Sequence, residues 1–168
     1  SAASDVYKRQ ACTSFLGYPV FFKEDKVFKV YGDRPTNYQV MASATLGVSA
    51  GSGKSLAVAG ETLFYLSRAG IVAYSGGIPR SISAPFGTAR YRNAVGGSDG
   101  MKYYVSMEDD NGEWSLFVYD PALGVWHRED STRLVAADYL GGVNGLTADG
   151  RLLLLGRPSE VPEGCVQE

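Results

Sequence analysis

Three stretches decide how this chain reads: PVFFKEDKVFKVYGDRPTNYQVMAS at residues 19–43, TLFYLSRAGIVAYSGGIPRSIS at 62–83 and KYYVSMEDDNGEWSLFVYDPALGVWHRED at 102–130. Each runs from an apolar strand through a turn into a strand that ends in Val-Tyr or Ala-Tyr. A turn rich in Gly, Asp or Pro and a further strand follow. The anchoring tyrosines are Tyr31, Tyr74 and Tyr119, spaced 43 and 45 residues apart. Short β-rich runs flank Glu24-Asp25, Gly60-Glu61, Ser75-Gly76-Gly77, Asp109 to Gly112 and Ala148-Asp149-Gly150, which is hairpin patterning. No stretch holds a 3.6-residue apolar period over helical length.

A period of about 40–50 residues with four short strands per unit is the sequence signature of a β-propeller. One small four-stranded sheet cannot bury both of its faces, and radial stacking buries them against neighbours. The chain therefore predicts an all-β fold, a partial β-propeller of about three four-stranded antiparallel blades in an open arc. The blades are expected at roughly 19–50, 55–90 and 91–132, with the start of another at 134–156. Ala94 and Val95 are expected on an inner strand, and Gly96-Gly97 and Gly141-Gly142 suit crowded strands near the axis. The three tyrosines are expected at equivalent places near the ends of equivalent strands.

Composition agrees with this class. The 168 residues are 45% hydrophobic, and 11 Tyr, 7 Phe and 2 Trp sit among 21 Gly. Aromatic strands punctuated by glycine turns are the usual make-up of all-β folds. A net charge of −2 points to neither nucleic acid nor an anionic membrane surface. No apolar run approaches the roughly 18 residues of a membrane-spanning helix. The two cysteines, Cys12 and Cys165, lie near opposite ends; they fit two free thiols better than a disulfide framework.

Residues 1–10, SAASDVYKRQ, resemble the in-frame translation of a transposase-based sequencing adapter, codon for codon. They are expected to be adapter-derived, to pack against nothing specific, and to leave 11–168 as an incomplete propeller domain. Without them the chain has 14 basic and 17 acidic residues. The ending, Gly164 to Glu168, shows no closing strand, so a second truncation is expected there.

Few residues are arranged for chemistry. Gly51-Ser52-Gly53-Lys54-Ser55 resembles the end of a phosphate-binding loop, but the required first glycine falls on Val48, and Leu56 to Ala59 reads as strand rather than helix. It reads as a flexible loop entering a blade. His127, the only histidine, lies in the alternating run Trp126 to Glu129 and reads as a solvated outer-strand residue. Glu108, Asp109 and Asp110 sit on a hairpin turn, where such residues favour turns; adjacent carboxylates cannot flank a glycosidic bond, although a calcium site stays open. Tyr103, Tyr104, Trp114, Phe117, Tyr119 and Trp126 read as inter-blade core, with a sugar-binding platform as the alternative. The expectation is no catalytic, cofactor-binding or metal-ligating residue, no cofactor and no enzyme activity.

Two resemblances extend the reading. Val118-Tyr119-Asp120-Pro121 followed by Trp126 resembles the third-to-fourth-strand hairpin of kelch-type blades, in which Trp fills the gap between blades. Leu63 to Ser67, Gly70 to Gly77 and Pro79 to Ser83, with Tyr103 to Ser106, Leu116 to Asp120 and Trp126 to Asp130, resemble a segment of bacteriophage structural proteins, covering roughly residues 55–156. Those proteins are propeller components of the neck or tail, in the style of the packaged-DNA stabilisation proteins of short-tailed phages. The resemblance implies a non-enzymatic virion component, assembled in the bacterial host cytoplasm, whose partners are other virion proteins, with no direct nucleic-acid binding and no membrane. The alternatives are a cellular kelch-like propeller that binds carbohydrate or protein, and a hydrolase propeller whose active site lies on blades outside this chain.

Overall fold

The computed structural model describes residues 11–139 and 143–155 and is all-β. Four antiparallel sheets follow one another along the chain as blades of an open, partial propeller. The first holds β1 (Ala11–Phe15), β2 (Tyr18–Phe22), β3 (Lys26–Tyr31) and β4 (Gln39–Ala44); the second β5 (Ala57–Ala59), β6 (Thr62–Ser67), β7 (Gly70–Tyr74) and β8 (Arg80–Ser81). The third holds β9 (Tyr91–Ser98), β10 (Tyr103–Asp109), β11 (Trp114–Asp120) and β12 (Val125–Asp130), and the last β13 (Leu134–Tyr139), β14 (Val143–Thr147) and β15 (Leu152–Leu155). In every sheet the strands pair in chain order.

The core lies between sheets, because strand side chains alternate sides. In β6, Leu63 and Tyr65 join Phe15, Val20, Phe22 and Val27 of the first sheet, whereas Phe64 and Leu66 join Tyr103, Val105 and Met107 of the third. Burial on both sides explains why TLFYLS carries no polar-out alternation. Leu116 and Leu134 continue the packing toward the fourth sheet. Serine hydroxyls tie the layers: Ser52 Oγ accepts the Ala94 N–H at 3.1 Å, and Ser106 Oγ accepts the Leu134 N–H at 3.1 Å. Both serines are fully buried, so each would leave an unpaired N–H if truncated.

Two expectations are modified. The first sheet begins at Ala11, not at residue 19, because Ala11–Phe15 pairs along its whole length with Tyr18–Phe22. The repeat is silent about this strand, since its mix of Cys, Thr and Ser lacks the apolar pattern of the other units. The tyrosines do share the third strand of their sheets, but not one face. Tyr74 packs on Phe15 (5.8 Å between ring centroids) and Tyr119 on Phe64 (5.5 Å), each reaching back to the preceding sheet. Tyr31 packs on Tyr18 within its own sheet, on the side from which Lys29 reaches forward to the Gly76 carbonyl. Val30 therefore takes the backward-facing place in the first sheet.

Gly96 meets its expectation. A Cβ there would stand 2.5 Å from the Ser55 carbonyl oxygen and 2.9 Å from the Tyr103 ring, so the inner strand admits only glycine. Gly141-Gly142, Cys165 and residues 1–10 lie outside the described residues.

Candidate functional site

Antiparallel alternation brings the sheet-to-sheet connections and the second-to-third-strand hairpins to one edge of the arc. Two clefts open there. One, of about 480 Å³, runs between the second and third sheets and is lined in part by Arg68, Phe86, Arg90, Tyr91 and Asp110. The other, of about 610 Å³, lies where the loop entering the second sheet meets the starts of β9, β11 and β13; Gly51, Lys54, Asn93, Trp114 and Arg133 line it.

The Gly51 to Ser55 loop borders the second cleft, and it is anchored rather than free. Ser52 and Ser55 are fully buried. Ser55 Oγ accepts the Leu66 N–H at 3.0 Å and donates to the Ser52 carbonyl at 2.6 Å. The Tyr103 hydroxyl donates to the Ser55 carbonyl at 2.6 Å, and burial pushes that phenol well above its usual range. The expected flexible loop is thus corrected: its two serines serve as internal hydrogen-bonding plugs. Gly53–Ser55 forms a single 3₁₀ turn, not an α-helix.

The carboxylate run divides by role. Glu108 is the next-to-last residue of β10 and accepts from Arg92 Nη2 at 3.1 Å and from Asn93 Nδ2 at 2.8 Å. The hydrogen bond from Arg92, then that from Asn93, holds its carboxyl below the ordinary range. Asp109 builds the turn, its Oδ1 accepting the N–H groups of Asn111 at 2.8 Å and Glu113 at 3.0 Å. Asp110 is exposed on the first cleft. Among the described residues no group of three or more His, Cys, Asp or Glu stands together as a metal site would need.

His127 is exposed on the outermost strand β12, opposite Val118. Cys12 is an exposed free thiol. Of the six aromatics, Tyr103, Tyr104, Phe117 and Tyr119 are buried between sheets. Burial, with help from Asp99, pushes the Tyr104 phenol up to about 12. Trp126 packs on Tyr119 at 5.0 Å and Phe86 at 4.9 Å, and its indole N–H donates to the Ile82 carbonyl at 2.9 Å, which joins the third sheet to the second. Trp114 differs: it sits half-buried on the second cleft, under the Arg133 guanidinium at 4.6 Å from the ring centroid.

Sequence reasoning found the glycine-rich loop but not the cleft, because Asn93 and Trp114 meet it from two strands and Arg133 from the lead-in to a third, and no local spacing records that. Among the described residues no helix is long and apolar enough to cross a membrane. The chain matches no protein-family model and no curated protein.

Proposed function

We propose that this chain is a structural part of a phage or prophage particle, at the neck or tail, that works through protein–protein contacts and performs no reaction. The observation that carries this reading is where the phage-like segments fall. Leu63–Ser67, Gly70–Tyr74, Tyr103–Ser106 and Leu116–Asp120 are the strands whose side chains form the packed joint between the second and third sheets. Part of the resemblance thus falls on residues that pack the second sheet against the third, among them Phe64, Leu66, Ile71, Tyr103 and Phe117. The chain's polar groups support the same reading: Asp109 shapes a turn, and His127 lies exposed on an outer strand. A second reading, a cellular kelch-type propeller, draws support from one contact, the Trp126 indole bridging to the Ile82 carbonyl as the YDP…W hairpin suggests.

Mass spectrometry of nuclease-treated, density-banded particles from the sample that carries this gene tests the proposal. The tryptic peptide spanning residues 103–128 is expected in the particle band together with other virion proteins. Finding it only in the cellular fraction, while other virion peptides band normally, overturns the particle reading in favour of the second.

A further inference from the structure

Asn93 lies within strand β9 yet has φ +52°, a conformation that side-chain-bearing residues rarely adopt. Its place in the ladder gives the cause. Val95 pairs with Ser106 and Arg92 with Glu108, so Asn93 and Ala94 together oppose the single residue Met107. This is a β-bulge, a device that re-aims a side chain out of the regular ladder and is frequent beside functional sites. The re-aimed Asn93 amide donates to Glu108 and lines the second cleft.

Gly51 closes the cleft from the other side. It holds φ +76°, which favours glycine, and its Cα lies close against the Asn93 amide: a Cβ there would stand 3.0 Å from Asn93 Oδ1. Ser52 follows at φ −113°, ψ 25°. A left-handed residue followed by one near the right-handed region turns successive N–H groups toward one side, the geometry of backbone anion cradles. Ser52 spends its N–H on the Ser49 carbonyl. The N–H groups of Gly51 and Gly53 are committed to no protein acceptor among the described residues, and both residues line the cleft.

The side chains supply charge. Lys54 and Arg133 line the same cleft, and neither forms an ion pair among the described residues. Among the described residues Lys54 Nζ reaches only the Val135 carbonyl, at 3.3 Å, and Arg133 stacks on Trp114. Glu108, the nearby carboxylate, is hydrogen-bonded by Arg92 and Asn93, and Arg133 acts on it only through space, without contact. Backbone donors, an ammonium and a guanidinium oriented by an indole face thus border one cavity. We infer that this cleft binds a compact oxyanion, a phosphate or carboxylate group carried by a small molecule. Arg133 would meet it with its forked donors and Lys54 as a point charge.

Titration of the full chain, kept dilute enough to stay unassociated, with sodium phosphate, sodium acetate and sodium chloride at matched ionic strength, read on the amide resonances of Gly51 and Gly53, tests the inference. Saturable shifts with phosphate, acetate or both, and none with chloride, are expected; phosphate alone assigns a phosphate group, and acetate alone a carboxylate. The double substitution Lys54→Met with Arg133→Gln should weaken binding by about tenfold or more. Both substituted side chains are exposed, and an unchanged Trp126 indole resonance shows that the fold is kept. Shifts no larger than those from chloride, or equal affinity in the double variant, overturn the site.

Discussion

The first and third sheets share one plan, four antiparallel strands in chain order, and are finished differently. The third is covered on both faces: Tyr103, Val105 and Phe117 pack toward the second sheet, and Leu116 packs with Leu134 of the fourth. In the first, Val20, Phe22 and Val27 pack toward the second sheet, whereas Phe28 and Val30, which face the other way, stay only half-buried. The outer strands diverge as well. In β12 the run His127 to Asp130 is exposed and mostly charged, while β4 exposes all six of its residues, QVMASA, without a single charge. A blade is therefore not a self-sufficient unit. Its stability is set by how many neighbours it has, and its outer edge is safe only where charge or brevity protects it.

The sharpest way to break the comparison is to truncate matched side chains. Phe117 and Phe28 both lie on third strands and point backward, but Phe117 packs against Phe86, Tyr91 and Trp126 and is 7% exposed. Phe117→Ala is expected to cost about 3–5 kcal/mol, the range for a buried phenylalanine. Phe28→Ala is expected to cost less than about half of that, since no sheet in the described chain covers it. Urea unfolding of both variants measures the difference, and equal losses would mean that the first sheet is as fully packed as the third.

Association should follow the same asymmetry. Val40 and Met41, 64% and 56% exposed, sit on an uncharged outer strand beside a half-covered face. Such an edge templates further strand pairing. The chain is expected to elute from size-exclusion chromatography as an oligomer or aggregate at high concentration. Val40→Lys with Met41→Lys should move it toward monomer, since an edge lysine opposes pairing. A wild-type chain that stays monomeric at high concentration would mean that the arc is a complete domain with no exposed joining surface.

How far this was legible in the sequence depends on whether the information is local. The Val/Ala-Tyr endings and the turns at Gly60-Glu61 and Asp109 to Gly112 sit in consecutive residues, so strand identity and order could be read. Strand β3, Lys26–Tyr31, starts just after the Glu24-Asp25 turn and ends on the anchoring tyrosine. Facing is another matter. Tyr31 carries the same motif as Tyr74 but lies one residue out of phase with the blade-to-blade face, because side-chain direction flips with every residue and a motif does not fix that parity. The strand Ala11–Phe15 is polar enough to pass as a lead-in, and only its ladder to Tyr18–Phe22 identifies it. The second cleft is harder still. The Gly51 to Ser55 loop is visible, but the bulge at Asn93 depends on the β9–β10 register and the stacking of Arg133 on Trp114 on the meeting of two sheets, and neither is written in neighbouring residues.

The smallest difference concerns the hairpin ends of the two sheets. In the first sheet, Glu24 accepts one backbone N–H, from Ala50, at 3.1 Å. In the third, Glu108 accepts two side chains, Arg92 and Asn93, and these bonds lower its carboxyl from the ordinary value. A carboxyl whose folded-state pKa lies below its unfolded-state value of about 4.3 stabilises the fold when ionised in both states. That contribution is fully present above the unfolded-state value, and it is lost as pH falls through the folded-state value. Glu108→Gln should therefore be less stable than wild type near neutrality, and the gap should close on acidification through the carboxylate range. The effect is small because Arg92 is exposed and solvent screens the pair. Thermal midpoints of both proteins across that pH range measure it. A gap that stays constant on acidification would mean that the glutamate acts through packing and not through its charge.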